Sequence, residues 1–350
     1  MSYFDAHCSY RVFTLLGMLV LVCSCDKIPK ASDLTKKTAT PTPVEPTEAT
    51  SVPTQVETPE PVTPKTAEEQ IAEFKAMKST EITNQALIEI SKIPEAETAF
   101  EVLDLSNSRV SDIGLASIAQ WSSLRELNLE KSQVQGQSLA ALKNLNHLEV
   151  LNMDLTPFDS TSGEAINDFT ALRSMSLRST GVNDQFYQHL SELPQLEALH
   201  LDGNKNLIGR NFADLVAKEK FPELKTLTAG NTKFGHYGLL SVDRLKKLEV
   251  LRIPNAGLNL KSIVPLSKCN SLKVLDISGN PMSNEALAPL KRLRNLEELN
   301  LKLCTGISDP AVNTLRTMNH LKRLHIGGTS ITPNGIEALK KSLKETKIIQ

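Results

Sequence analysis

The chain is 350 residues long, and its 39 Lys and Arg nearly cancel its 40 Asp and Glu. Without a basic stripe, this balance argues against nucleic acid or an acidic lipid surface as the main partner. Aromatic residues make up 4% of the chain, so an interface anchored by Trp and Tyr is not indicated. Three of the five cysteines lie in the first 25 residues, which excludes a disulfide framework in the rest.

An apolar run at residues 12–24 follows Arg11. It is shorter than the roughly 20 residues of a membrane-spanning helix and is typical of the core of a secretory signal. The run ends in VCSC (residues 22–25), which resembles a bacterial lipobox. The resemblance implies that residues 1–24 are a signal peptide and that Cys25 carries a lipid. An ordinary cleaved signal and an uncleaved anchor remain the alternatives.

Residues 25–65 are predicted to be a linker that follows the lipid anchor. Residues 38–65 contain seven prolines and eight threonines and almost no residues that could form a core. Such a segment cannot bury enough apolar surface to offset the entropy of ordering, so we expect an extended, disordered spacer. It either serves as a stalk that raises the following domain from a membrane or is a passive linker.

Residues 66–99 are predicted to form a helical cap. Thr66 and Glu69 have the spacing of a capping box, and Ile71 and Phe74 fall on one side of the helix that follows. The first unit of a repeat stack must cover an open apolar end. We therefore expect this cap, together with Trp121 after the first repeat, to close the start of the repeats.

From residue 100 to residue 350 the same pattern of apolar residues recurs with a period close to 24. Each repeat has apolar residues at its first, fourth and sixth positions. A fixed period of this length indicates a stack of structural repeats. About ten repeats are predicted, and they begin at Phe100, Leu124, Leu148, Leu172, Leu196, Leu224, Leu248, Leu272, Leu296 and Leu321.

This skeleton resembles the leucine-rich repeat, L-x-x-L-x-L-x-x-N. The resemblance implies an α/β solenoid with a curved parallel sheet on the concave side and helices on the convex side. Small polar residues at the ninth position resemble the cysteine-containing subtype and are expected to bond to the backbone of neighbouring turns. The longer fifth repeat is expected to extend its helix around Phe212, and residues 347–349 are expected to add a closing strand.

The residues between the leucines of each strand point away from the core because side chains alternate along a strand. In the middle repeats this exposed face carries Asp154, Arg178, His200, Asp202 and Arg252. Adjacent strands lie ~4.8 Å apart, so these side chains can act together. They are the candidate partner-binding residues. The alternative is a solvated polar face without a specific partner.

The sequence predicts no catalytic, cofactor-binding or metal-binding residues. His200 and His325 are five repeats apart, too far to share a metal, and no metal-binding motif occurs. Cys304 falls in the ninth-position column and is interpreted as a buried structural residue rather than a nucleophile. We therefore predict that the protein is not an enzyme and has no cofactor.

The resemblance covers residues 100–350 and implies a non-enzymatic protein-binding scaffold, tethered at a bacterial cell envelope. A protein, or alternatively a glycan, would bind the concave face, the lipid would contact the membrane, and nucleic acid is not expected. The predicted location is the cell membrane or the periplasm-facing envelope, or outside the cell if the lipobox is not used. The alternative function is an intracellular adaptor similar to leucine-rich F-box proteins, which would require a helical F-box module before the repeats.

Overall fold

The computed structural model describes residues 64–191 and 193–350. The predicted signal peptide, Cys25 and the linker up to residue 63 lie outside the described residues. Among the residues that are described, no helix is both long enough and apolar enough to cross a membrane.

The cap begins with the predicted capping box. Thr66 accepts a hydrogen bond from the backbone N–H of Glu69, whose carboxylate accepts one from the backbone N–H of Thr66. Further along this helix the ring of Phe74 meets Phe100 edge-on at 5.6 Å, and Phe100 stacks on Trp121 at 4.4 Å. Trp121 therefore packs on Phe100, the first residue of the repeats, which in turn contacts the cap through Phe74. The cap comprises α1 (Ala67–Ala76), a 3-10 turn (Ser79–Glu81), α2 (Asn84–Ile90) and α3 (Ala96–Ala99).

The repeats form one parallel sheet in which each strand pairs with the next along the chain. Equivalent positions pair throughout, as Leu103 does with Leu127, which confirms the predicted α/β solenoid. The described residues contain eleven strands of three residues: β1 (Val102–Asp104), β2 (Glu126–Asn128), β3 (Val150–Asn152), β4 (Ser174–Ser176), β5 (Ala198–His200), β6 (Thr226–Thr228), β7 (Val250–Arg252), β8 (Val274–Asp276), β9 (Glu298–Asn300), β10 (Arg323–His325) and β11 (Lys347–Ile349). The last is the predicted closing strand.

Short helical segments connect the strands. The α-helices are α4 (Asp112–Leu115), α5 (Gln185–Gln188), α6 (Arg210–Ala217), α7 (Phe234–Tyr237), α8 (Leu260–Leu266), α9 (Val312–Leu315) and α10 (Pro333–Ser342). The 3-10 segments are Ala116–Ile118, Gln137–Leu142, Ser160–Asp168, Val242–Arg244, Asn284–Arg292 and Asp309–Ala311. The sequence predicted helices on this side of the repeats, and in several repeats the helix is of the 3-10 type. A 3-10 helix rises about 2.0 Å per residue, so it returns the chain over the same distance with fewer residues.

The core is a column of aliphatic side chains that runs through all repeats. The middle residue of each strand from β1 to β10 is at most 3% exposed. Burying one such side chain contributes roughly 1.5–3 kcal/mol. The few buried side chains of a single repeat therefore cannot offset the entropy lost when that repeat becomes ordered. In the fifth repeat, the sequence predicted a longer helix around Phe212. This residue lies on α6, is fully buried and contacts Tyr187, Phe221 and Phe234.

The polar ninth-position residues bond to the backbone as predicted. Asparagine donates to carbonyl groups of two repeats, whereas threonine donates to a carbonyl group of its own repeat. The amide of Asn204 donates to Leu177 O of the preceding repeat and to Leu201 O of its own, both at 2.8 Å. The threonine hydroxyl donates to a backbone carbonyl of its own repeat, as Thr180 does to Leu177 O at 2.9 Å, and in Thr180 it also lies 3.4 Å from Asn204 Oδ1 of the next repeat. Cys304 is buried, and its thiol donates to Ile277 O at 3.3 Å.

Asp112 lies where one repeat contacts the next. It is the first residue of α4, but its carboxylate accepts hydrogen bonds from the next repeat, including Gln135 N at 2.7 Å and Ser138 N at 2.8 Å. Burial would raise the pKa of this carboxyl, but four hydrogen bonds outweigh it and lower the pKa below 3.8. Asp184 and Asp309 likewise accept from the repeat that follows each of them. These side chains therefore connect repeats.

Replacing Asn280 with alanine should destabilise the fold by about 1–3 kcal/mol for each buried group left without a partner. Asn280 donates to Ile253 O and Ile277 O and accepts from Ala256 N and Leu258 N, at distances of 2.9–3.0 Å. Urea unfolding monitored by circular dichroism measures the loss.

The exposed Asn206 provides the matched control, since its replacement with alanine removes no side-chain hydrogen bond and should leave the unfolding midpoint near that of the parent. Equal midpoints for Asn280→Ala and Asn206→Ala would show that the bonds between repeats contribute little.

Candidate functional site

The candidate site lies on the face of the sheet that points away from the core. We call this surface the strand face. It consists of the first and third residues of each strand and the residue two positions after the strand. In β5, for example, His200 is the third strand residue and Asp202 follows two positions later. Leu199 and Leu201, which alternate with them, are fully buried. The period of two therefore separates the core from the surface within each repeat.

Arg178 is held between two carboxylates of neighbouring repeats. Its backbone N–H donates to Asp154 Oδ1 at 2.7 Å, and its Nη1 lies 3.4 Å from Asp154 Oδ2. On the other side, its Nε donates to Asp202 Oδ2 at 3.2 Å. Ser176 Oγ adds a hydrogen bond to Asp154 at 2.5 Å. The sheet spacing thus brings together three of the predicted site residues.

The network continues through Asp202 to the next strand. Its carboxylate accepts hydrogen bonds from Gly230 N at 2.7 Å and from the hydroxyl of Thr228. That hydroxyl also lies 3.2 Å from Nδ1 of His200. Burial and then the positive charge of Arg178 lower the pKa of His200 below 6.5, so its ring is neutral at neutral pH. Four of the five predicted site residues therefore belong to one network.

Arg252 lies outside this network. It is exposed on β7, which pairs with β6 at Thr228 and with β8 at Asp276. Within residues 64–191 and 193–350, its side chain has no hydrogen bond or ion-pair partner. A guanidinium carries five donors in a planar arrangement that fits a carboxylate. Arg252 is thus the predicted site residue that is free to bind a group from another molecule.

The ion pairs of the network stabilise the fold only slightly. The side chain of Arg178 is 43% exposed, and pairs at such a surface contribute about 0–1 kcal/mol because water screens them. Their effect is to hold the guanidinium in one position. A side chain that is already ordered loses less entropy when a partner binds.

A second charged feature was missed by the sequence analysis. The residue before each strand from β1 to β10 is alternately acidic and basic, and we call this column the charge ladder. Its members pair between adjacent repeats, with Arg173 Nη1 2.9 Å from Glu197 Oε1 and Lys225 Nζ 2.7 Å from Glu197 Oε2. The column was visible in the sequence as Glu101, Arg125, Glu149, Arg173, Glu197, Lys225, Glu249, Lys273, Glu297 and Lys322.

The described residues offer little basis for catalysis or for a metal site. Within them, no three His, Cys, Asp or Glu side chains come together as a metal would require. Burial raises the pKa of the Cys269 thiol to about 12 and also raises the pKa of Cys304. Thiols in this state are poor nucleophiles, because the thiolate is the reactive form.

The charge ladder should make stability depend on pH through Glu197. The hydrogen bond from Lys225 lowers the pKa of this carboxyl below its ordinary 4.5. Its contribution is therefore present at neutral pH and is lost as the pH falls through the pKa of the folded state. Replacing Glu197 with glutamine should lower the thermal midpoint at neutral pH but not in strongly acidic solution.

Glu164→Gln is the matched control because Glu164 is exposed on the helical side, outside the ladder. The interpretation of the ladder would be wrong if both variants had the same midpoint as the parent at neutral pH.

Comparisons with known proteins support the fold. Residues 268–291 and 317–340 match the family model described as Leucine Rich repeat. A sequence search of curated proteins gave no match. The chain is similar to the crystal structure of an internalin from Listeria monocytogenes, with 18% identity and a TM-score of 0.51 over 81% of this chain and 87% of that one.

A leucine-rich repeat protein from Leptospira interrogans is 19% identical, with a TM-score of 0.45 over 75% of this chain and 74% of that one. Because the internalin shares only 18% sequence identity with this chain, the similarity shows the fold alone. Three observations indicate the same fold: the two matched segments, the similarity to the internalin, and the sheet whose strands pair at equivalent positions. The described part of this chain is a leucine-rich repeat solenoid.

Proposed function

We propose that this protein is a non-enzymatic scaffold, tethered at a bacterial cell envelope, that binds a partner protein through the strand face. Leucine-rich repeat domains commonly bind proteins, and their fold leaves one face of the sheet without a role in the core. The observation that carries the proposal is the contrast between Arg252 and Arg178. The first is exposed and unpaired, and the second is fixed by Asp154 and Asp202 beside it.

The arrangement suits recognition of a protein surface that presents a carboxylate. Arg252 can donate two parallel hydrogen bonds to such a group, which gives both strength and orientation. Thr228, which bonds to Asp202, pairs with Arg252 on the next strand, so a partner that binds Arg252 would also meet Asp202 and His200. Charged groups at the edge of an interface mainly set specificity and the rate of association.

The tether is supported by the sequence. The lipobox-like segment before Cys25 would place several acyl chains on the mature amino terminus, and more than one chain is needed for stable anchoring. The proline- and threonine-rich residues 38–65 would span at most roughly 85 Å if fully extended in the polyproline conformation. Such a spacer would let the strand face reach a partner away from the bilayer.

Charge reversal by Arg252→Glu should abolish capture of the partner while the protein stays folded. The substituted carboxylate would repel the acidic group that the guanidinium binds, and no intramolecular bond is lost. Arg178→Glu should have the same effect on capture. The measurement is a pull-down from envelope extracts with the tagged chain, accompanied by circular dichroism.

The control is Arg316→Glu, a reversal of the same charge on the helical side, where Arg316 is exposed. It should capture the same proteins as the parent. If the Arg252 and Arg178 variants also do so, the strand face is not the binding surface.

Mass spectrometry of the mature amino terminus should find a lipid on Cys25 and no residues 1–24. Because Cys23 lies two positions earlier, Cys23→Ser should keep the lipid, whereas Cys25→Ser should lose both the lipid and membrane association. A cytosolic pool that retains Met1 would contradict the tether and favour the intracellular adaptor.

A further inference from the structure

The charges of the strand face are arranged symmetrically about β6. This strand contributes Thr226, Thr228 and Gly230 to the face, and none of them is charged. One strand to either side, β5 is followed by the acidic Asp202, two positions after its last residue, and β7 ends with the basic Arg252. The central strand of the sheet is therefore neutral, and the strands beside it carry opposite charges.

The same relation holds further from β6. Two strands away, Arg178 after β4 corresponds to Asp276 on β8. The two ends of the strand face differ in sign: β1–β3 carry only acidic residues, and β9–β11 carry three basic residues and one acidic residue. The acidic end comprises Asp104, Glu126, Glu130 and Asp154, and the other end comprises Glu298, Lys302, Arg323 and Lys347.

Two exposed leucines occupy positions that the fold does not explain. Leu155 and Leu303 follow β3 and β9 at the same place in the turn, and they are 47% and 56% exposed. Both adopt the left-handed conformation, with φ of 59° and 61°. A bulky residue rarely adopts this conformation, and the equivalent residues of the other repeats are polar or glycine. Each leucine lies three strands from β6.

From this symmetry, and building on the proposed function, we infer that the partner of the strand face is a second copy of this chain. A two-fold axis parallel to β6, between two facing sheets, places β5 opposite the partner's β7 and β3 opposite its β9. Asp202 then lies across from Arg252 of the other copy, two positions further along the strand direction and within reach of its long side chain, and Leu155 faces Leu303 of the other copy at the same position. Each contact occurs twice, as in any interface between two identical surfaces.

The dimensions are consistent with such an interface. Strands ~4.8 Å apart separate the turns after β3 and β9 by about 29 Å, so the two leucine pairs would flank a polar centre. The same axis would place like charges of the charge ladder opposite each other. The ladder lies at the amino-terminal edge of the strands, so the copies must meet along the carboxyl-terminal edge, where the leucines are.

Cysteine cross-linking tests the position of the axis. Asn231 follows β6 in the same turn position, is exposed and has φ of 55°, so the axis passes close to it. Asn231→Cys in the purified full chain should give a disulfide-linked dimer under mild oxidation. Asn107→Cys is the matched control, because this asparagine has the same conformation after β1, and its two copies would be about 48 Å apart.

A mixture of two single variants tests the pairing directly. Leu155→Cys and Leu303→Cys should cross-link to each other, and neither should cross-link to itself. The parent chain, treated in parallel, gives the background from its own five cysteines. Efficient self-linking of Asn107→Cys, or no linking of Asn231→Cys above that background, would overturn the two-fold arrangement.

Asparagine variants of the leucines separate association from folding. Asparagine tolerates the left-handed conformation better than leucine, so Leu155→Asn and Leu303→Asn should not lower the thermal midpoint. Each loses an apolar contact at the interface, so the dissociation constant measured by sedimentation equilibrium should rise about tenfold or more. A lower midpoint with unchanged association would indicate a role within the monomer and would overturn the inference.

The test also distinguishes this inference from the proposed function. If the parent chain stays monomeric but captures another envelope protein, and Arg252→Glu abolishes that capture, the inference fails and the scaffold function stands. If it neither self-associates nor captures a protein, both fail. Self-association that Arg252→Glu weakens and Arg316→Glu does not supports both.

Discussion

Every repeat depends on its neighbours because each strand is only three residues long. A strand of this length cannot form a stable sheet with one partner, and a single buried leucine cannot offset the entropy of ordering 24 residues. Stacking repeats at equivalent positions solves both problems, since the backbone of each strand between β1 and β11 is bonded on both sides and its middle side chain enters a continuous column. The polar side chains at the turns and helix starts then satisfy the backbone groups that the sheet leaves unpaired.

This architecture separates the residues that hold the fold from those that can bind. The leucines, the ninth-position residues and acceptors such as Asp112 face inward or connect adjacent repeats. In the central repeats the strand face adds nothing to the aliphatic column, so charges such as that of Arg252 can vary while the core is kept, although Asp154 and Asp202 also accept backbone hydrogen bonds from the next repeat. The rigid spacing of the sheet nevertheless fixes where those charges lie. The cluster around Arg178 is an example, because two carboxylates on either side hold one guanidinium.

The register, the strands and the buried column could be predicted because each is a direct consequence of the 24-residue period. The contacts of Asp112 could not, since a helix cap and an acceptor for the next repeat have the same sequence signature. The choice between α and 3-10 helix depends on how far the chain must travel, which the sequence does not state. The charge ladder could be predicted from the residues that precede the strands. The predicted site residues lie within or after the strands, so they do not include it. The pairing of four site residues followed from strand spacing, whereas the isolation of Arg252 depends on side-chain positions.

The extra residues of the fifth repeat reveal where the chain tolerates changes in length. Ala198 pairs with Thr226, 28 positions later, yet the strands before and after keep the usual alignment. The added residues are absorbed by α6, after which Glu219 turns the chain with φ of 58°. Insertions on this side therefore leave the geometry of the opposite surface intact. Lineages could lengthen these connecting segments, and acquire new contacts on the outside, without disturbing a recognition surface already in use.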